Sequence, residues 1–234
     1  MAVEVVFETH WVTTDNEAGV ATGWLGGRLS ERGRALATEL GRRRRYDGVA
    51  AVFVSDLGRA VETVELGFGG SDVPIYLDAR LRECDYGAWN GMPVSRLERE
   101  RAQRISRPFP DGESYLQVVA RVASFLEELA RDWAGTRVLV VGHSATRWAL
   151  DYLLAGAAST TWWRHRSMAR RLVLRAAARV ASCPAWSSPQ MIRNSSTVER
   201  SWRSSSLKNC RATTRFRPRR PSRALLPSAR RRAA

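Results

Sequence analysis

Two hydrophobic rhythms alternate along residues 1–156. Short apolar runs at 3–9, 50–55 and 137–141, with a briefer one at 74–77, predict strands, and the 137–141 run has the composition of a strand covered on both faces. Between them, apolar positions recur at three- and four-residue spacing and predict helices. The first opens at Ser30, a suitable N-cap, and reaches about Arg45. A second spans about 57–67. A third, 114–133, carries Val118, Val122, Phe125 and Leu129 on one stripe. A fourth, 144–154, is stopped by Gly156. This order predicts an α/β fold of three layers, α/β/α, around a mostly parallel central sheet. No run of about 18 apolar residues occurs, so no membrane span or membrane partner is expected. Residues 1–7 lack a basic leader and do not read as a secretion signal.

The pattern changes near residue 160, and charge makes the change plain. Through Ser159 the chain carries 19 Arg, no Lys and 22 acidic residues. From Thr160 onward it carries 18 Arg and one Lys against the single Glu199, so the net +15 of the chain belongs to this tail. All 17 glycines precede Thr160, although a segment of this length at average usage holds about five. The chain therefore divides into a domain at 1–159 and an Arg/Ser-rich tail at 160–234. Stretches such as Arg217-Pro218-Arg219-Arg220-Pro221 show no sustained period and predict disorder. One reading of the tail is a basic arm that meets nucleic acid without sequence preference. The other is an out-of-frame read, since local consistency ends so abruptly. The codons for Thr161-Trp162-Trp163-Arg164-His165-Arg166-Ser167-Met168, entered at the third base of the Thr161 codon, permit Leu-Val-Ala-Ala-Pro-Phe-Asp-Gly. Cys84, Cys183 and Cys210 are widely spaced without a CxxC pair, which argues against a disulfide framework or zinc site and fits a reducing cytoplasm, the expected location.

Of three histidines, two directly follow predicted strands: His10 ends the first, and His143 follows the 137–141 run through Gly142. Carboxyl ends of strands are where open α/β sheets bind ligands. The stretch Leu25-Gly26-Gly27-Arg28 lacks the Gly-Lys-Ser/Thr ending of a phosphate-binding P-loop. No His/Asp/Glu cluster at helical spacing suggests a metal, and no cofactor is expected.

Four patches, in order, resemble the histidine phosphatase superfamily, the phosphoglycerate-mutase-like proteins. They are Thr9-His10-Trp11-Val12-Thr13-Thr14-Asp15-Asn16 with the following Gly23-Trp24-Leu25 and Leu29-Ser30-Glu31-Arg32-Gly33; Ser55-Asp56-Leu57-Gly58-Arg59-Ala60-Val61-Glu62-Thr63; Leu81-Arg82-Glu83-Cys84-Asp85-Tyr86-Gly87-Ala88-Trp89-Asn90-Gly91; and Val140-Val141-Gly142-His143-Ser144. The resemblance implies His10 as the nucleophile of a phosphohistidine intermediate, Glu83 as general acid and His143 as a second phosphate-binding histidine. It implies Arg59 as the phosphate clamp, a role that a guanidinium fork suits, and Asn16 as a neutral donor. Asn16 also reads as a turn residue, and Glu83 as a surface carboxylate paired with Arg82.

Two departures stand out. The family has Arg-His-Gly where this chain has Thr9-His10-Trp11, so the phosphate site loses one arginine at Thr9 and a small residue at Trp11. Arg147, four residues after His143, is the candidate for the lost charge, with a pairing to Asp151 as the alternative. The second departure is the tail, because family members continue with ordered structure after the second histidine. The implied function is a phosphomonoesterase acting on a small phosphorylated metabolite. A mutase with the same intermediate is one alternative; an impaired pseudoenzyme with a nucleic-acid-binding tail is another, and a homodimer is possible. Arginine-rich stretches at 42–45 and 98–107 read as solvated helix faces.

Overall fold

The apolar runs become the strands of one five-stranded sheet. The computed structural model describes residues 1–156 and the backbone of residues 169–175, all within the unit Met1–Val180. Strands β1 (Ala2–Thr9), β3 (Ala51–Val54), β4 (Ile75–Leu77) and β6 (Arg137–Gly142) are parallel, and β7 (Ala169–Arg175) runs antiparallel beside β1. The sheet order is β4-β3-β6-β1-β7. Successive strand residues feed opposite sides. Val5, Phe7, Val138 and Val140 join one core cluster, while Val6, Leu139 and Val141 join the other.

Helices cover both faces, as predicted. On the first side α5 (Tyr115–Asp132) buries Val118, Val122, Phe125 and Leu129, the stripe visible in the sequence. Burial of each such side chain stabilises the fold by about 1.5–3 kcal/mol. Ser114 and Gln117 close a capping box at its start. Helix α6 (Ser144–Ala155) lies on the same side, burying Trp148 and Leu150 and ending at Gly156 in the left-handed region. On the other side α3 (Gly58–Phe68) buries Ala60, Val64 and Phe68 against the sheet, and α2 (Glu31–Arg44) packs on α3. Ser30 caps α2 by accepting from the Gly33 amide at 3.2 Å.

The sequence pattern did not foresee several elements. The short helix α1 (Thr14–Glu17), the strand pair β2 (Val20–Ala21) and β5 (Met92–Pro93), and α4 (Val94–Glu100) are too brief to establish a period. The seventh strand is the larger difference. No element was expected beyond Gly156, yet Ala169–Arg175 pairs with β1 along its length, from Ala2 opposite Arg175 to Glu8 opposite Ala169. The expected domain end at Ser159 thus stops short of this edge strand, because the apolar core of the run, Leu172-Val173-Leu174, is bracketed by arginines and too short to be read alone. The expectations of disorder and nucleic-acid binding at 160–168 and 176–234 fall outside the described residues. No helix among the described residues is long and apolar enough to cross a membrane.

Helices α2 and α3 meet through glycine. A Cβ on Gly41 would strike the backbone carbonyl of Gly67. Gly41→Ala should therefore force the helices apart and lower the unfolding free energy in urea by about 1–3 kcal/mol. Gly58→Ala, where the nearest atom to a new Cβ is 3.9 Å away, should leave it unchanged or slightly raised; equal losses in both variants would remove the packing explanation.

Candidate active site

Strands β1 and β6 are hydrogen-bonded neighbours, and Thr9 lies opposite Gly142 in their register. The residues that follow, His10 and His143, consequently leave the sheet side by side, with ring centroids 4.9 Å apart. The His10 amide continues the ladder by donating to the Gly142 carbonyl at 2.9 Å. Its Nδ1 lies 2.8 Å from the Trp11 carbonyl. A carbonyl only accepts, so Nδ1 carries the proton and Nε2 holds a lone pair. That lone pair faces Arg59, whose Nε lies 3.3 Å from it. Burial, reinforced by the Arg59 charge, lowers the His10 pKa to about 3.

Arg59 sits in the first turn of α3 and is only 2% exposed. Its Nη2 donates to the Gly23 carbonyl at 2.8 Å and its Nη1 to the Leu25 carbonyl at 3.3 Å. Gly23 holds φ +56°, and a Cβ there would collide with the Asn90 amide, so the turn that offers its carbonyl to Arg59 requires glycine. Burial pulls the Arg59 pKa down, and the negative charge of Glu83 chiefly opposes it.

His143 is fully buried at the N-cap of α6. Its Nε2 lies 2.9 Å from Ser55 Oγ, which itself accepts from the Leu57 amide at 3.3 Å. Its Nδ1 has no hydrogen-bond partner among the described residues. Burial first, then the charges of Arg59, His10 and Arg121, hold its pKa well below the ordinary histidine value. Glu83 reaches the same place from the segment after β4. Its Oε1 accepts from the Cys84 amide at 2.8 Å and from the Ala145 amide, in the first turn of α6, at 3.2 Å.

Of the predicted set, His10, Arg59, Glu83 and His143 thus converge. Thr9 is buried at the last position of β1 and brings no charge. Asn16 closes the capping box of α1: its Oδ1 accepts from the Thr13 amide at 3.1 Å, and its amide donates to Thr13 Oγ1 at 3.0 Å. Arg147 is buried on α6, its amide bonded to the His143 carbonyl at 3.0 Å. His143 itself stands at the N-cap with extended backbone, φ −131° and ψ 178°, just before the helix that carries Arg147. Arg59 and Arg121 both place positive charge near the His143 ring. Nor does Arg82 pair with Glu83. It forms a fork with Asp56, both bonds 2.6 Å, and stacks 4.6 Å from the Trp24 ring.

Sequence reasoning missed Ser55, Trp24 and Arg121. The Trp24 indole donates to the Glu83 carbonyl at 2.7 Å, and Arg121 Nη2 donates to the same oxygen at 2.9 Å. Trp24 and Ser55 lie inside the motif patches, but nothing local marks them as supports. Arg121 reads as an ordinary polar position on an amphipathic helix. Among the described residues no group of three or more His, Cys, Asp or Glu is placed to hold a metal ion.

Together these groups set a half-buried neutral imidazole against a guanidinium, with a second imidazole beside it and a carboxyl group held at the first turn of α6. The family model for the histidine phosphatase superfamily, branch 1, matches residues 8–186. A 2,3-bisphosphoglycerate-dependent phosphoglycerate mutase from a Methylobacterium species is 33% identical over 172 residues, covering 67% of this chain and 83% of the relative. Phosphoserine phosphatase 1 of Hydrogenobacter thermophilus is 27% identical over 169 residues, covering 69% of this chain and 80% of the relative. Among solved structures, YhfR of Bacillus stearothermophilus superposes with a TM-score of 0.62 at 28% identity, covering 70% of this chain and 85% of that one. With its motifs, its fold and the family model in agreement, the chain belongs to the histidine phosphatase superfamily.

Proposed function

We propose that the protein is a phosphomonoesterase that hydrolyses a small phosphorylated metabolite through a phosphohistidine at His10. The observation that carries this reading is the unprotonated Nε2 of His10, its tautomer fixed by the Trp11 carbonyl, facing the Nε of Arg59. An imidazole attacks phosphorus only through an unprotonated nitrogen; burial keeps Nε2 unprotonated without an external base, and the Arg59 Nε–H that it accepts is the donor that an incoming phosphoryl group would take over.

In the first step Nε2 of His10 forms a bond to phosphorus while the ester P–O bond breaks. Charge on the phosphoryl oxygens is stabilised by Arg59 and by the Nδ1 edge of His143, the buried ring atom without a protein partner. Glu83 supplies the proton that the departing alkoxide needs. Its Oε1 is occupied by two amides, which leaves Oε2 as the oxygen through which a proton is exchanged. In the second step Glu83, now a carboxylate, takes a proton from water as its oxygen attacks phosphorus, releasing inorganic phosphate and restoring His10. Positioning and charge neutralisation supply most of the rate in phosphoryl transfer. Arg59 is the arginine beside His10, and with threonine at position 9 Arg147 remains the candidate for a second charge. A mutase reading uses the same first step and is favoured by the 33% identity to the Methylobacterium phosphoglycerate mutase. It requires a second phosphate acceptor to compete with water.

Three outcomes test this reading. His10→Ala should abolish turnover and, with it, the acid-labile, base-stable phosphate trapped on the protein by a rapid acid quench; phosphoprotein retained in that variant would remove His10 as nucleophile. Glu83→Gln should slow phenyl phosphate about 10²–10⁴-fold while slowing p-nitrophenyl phosphate far less, because a general acid matters most for a basic leaving group. Equal slowing of both esters would assign Glu83 a structural role.

The third concerns pH. Both histidines are lowered in the folded state, so below the unfolded value of 6.5 the unfolded chain binds more protons. Stability is therefore greatest above about pH 6.5 and falls as pH drops, by up to about 1.4 kcal/mol per pH unit for each histidine. For His10 this continues down to about pH 3. The imidazole resonances of His10 and His143 in NMR spectra should stay at their neutral positions between pH 8 and 5; titration of either within that window would show that its ring is not held neutral.

A further inference from the structure

Glu83 lies in an irregular stretch between β4 and β5 that no ladder supports, so its backbone polar groups need partners from elsewhere. The peptide unit joining Glu83 to Cys84 is unusual in what it holds. Its N–H donates to the Oε1 of Glu83 itself at 2.8 Å. Its carbonyl accepts two donors from separate elements, Arg121 Nη2 at 2.9 Å from α5 and Trp24 Nε1 at 2.7 Å from the loop after β2. One donor satisfies a buried carbonyl. Two, arriving from different elements, fix the plane of the peptide. The same plane sets the direction of the N–H that grips the carboxyl group, and donors on the oxygen polarise that N–H and strengthen its bond.

Arg121 is itself held firmly. It forms a fork with Glu113, both oxygens at 3.0 Å, and donates to the Arg80 carbonyl at 2.6 Å. Glu113 also accepts from the Asp85 amide at 3.1 Å. Trp24 is fixed by its amide bond to Asn90 at 3.3 Å and by the stacked Arg82, which Asp56 anchors.

We propose that Arg121 and Trp24 are positioning residues for the general acid: by clamping the carbonyl of the Glu83–Cys84 peptide, they aim its N–H and hence the Glu83 carboxyl group at the departing oxygen. The inference rests on Glu83 as proton donor and extends it to two residues that touch neither substrate nor phosphorus. Trp24→Phe removes one clamp and keeps a ring beneath Arg82. Arg121→Met removes the other, and Arg121→Lys restores a single donor.

The test measures kcat and KM of the full-length chain and each variant on phenyl phosphate and p-nitrophenyl phosphate, with thermal midpoints in parallel. Trp24→Phe and Arg121→Met should lower kcat on phenyl phosphate by about tenfold or more, within the loss of about 10²-fold that small misplacements cause. They should change kcat on p-nitrophenyl phosphate by less than about threefold, since that ester depends little on the acid. Arg121→Lys should recover part of the loss. Combined with Glu83→Gln, Trp24→Phe should cost nothing further on either ester, because the group it aims is gone.

If Arg121→Met does not fold, Trp24→Phe and its combination with Glu83→Gln decide the matter alone. Equal slowing of both esters by Trp24→Phe, or a loss that adds to that of Glu83→Gln, overturns the positioning role while leaving Glu83 as the acid. A Glu83→Gln variant without leaving-group selectivity removes the acid itself, and an unaltered chain that turns over neither ester removes the phosphatase reading; either result overturns this inference with it.

Discussion

The register between β1 and β6 is the constraint on which the site depends. Thr9 stands opposite Gly142, so the chain leaves both strands at one level and the two imidazoles meet. A shift of one residue would turn every side chain of β1 to the other face and exchange the two cores that Phe7 and Val6 now separate. The hydrophobic energy of those cores therefore fixes the position of His10 as firmly as any contact within the site. Strand β3 is tied to β6 in the same way, with Val54 opposite Val141. The loop that follows it delivers Ser55 to His143 and, through the start of α3, Arg59 to His10.

Around this frame the electrostatics favour neutral imidazoles. Arg59 is buried, has its fork occupied by two carbonyls and places a fixed positive charge beside both rings. Burial first, and then this nearby cation, which opposes a second one in a low-dielectric setting, keep both histidines uncharged over the ordinary pH range. The arrangement suits an anionic ligand, whose charge would relieve the concentration of positive field. The threonine at position 9 adds no further positive charge there.

Support for the carboxyl group comes from farther away. Glu83 is held by one amide of its own segment and one from α6, and its peptide unit is braced by α5 and by the loop after β2. Four parts of the chain thus fix one residue in a stretch with no regular structure of its own. The same economy appears at β1, where the buried Glu8, two residues before His10, is gripped by Arg44 at 2.8 Å from the end of α2.

The sequence by itself determined the alternation of strand and helix, the buried stripe of α5, the cap at Ser30, and the two histidines at strand ends. These are local properties, set by the periods of 2 and 3.6 residues and by end chemistry, and each is complete within a few residues. Only tertiary structure decided which groups meet. Arg82 chooses Asp56 over its neighbour Glu83, and Ser55 meets His143 from 88 residues away. The bonds to the Glu83 carbonyl span 59 residues from Trp24 and 38 from Arg121, and no periodicity extends that far. The strand Ala169–Arg175 was hidden for the same reason. Its place is set by the open edge of β1, a partner more than 150 residues earlier in the chain.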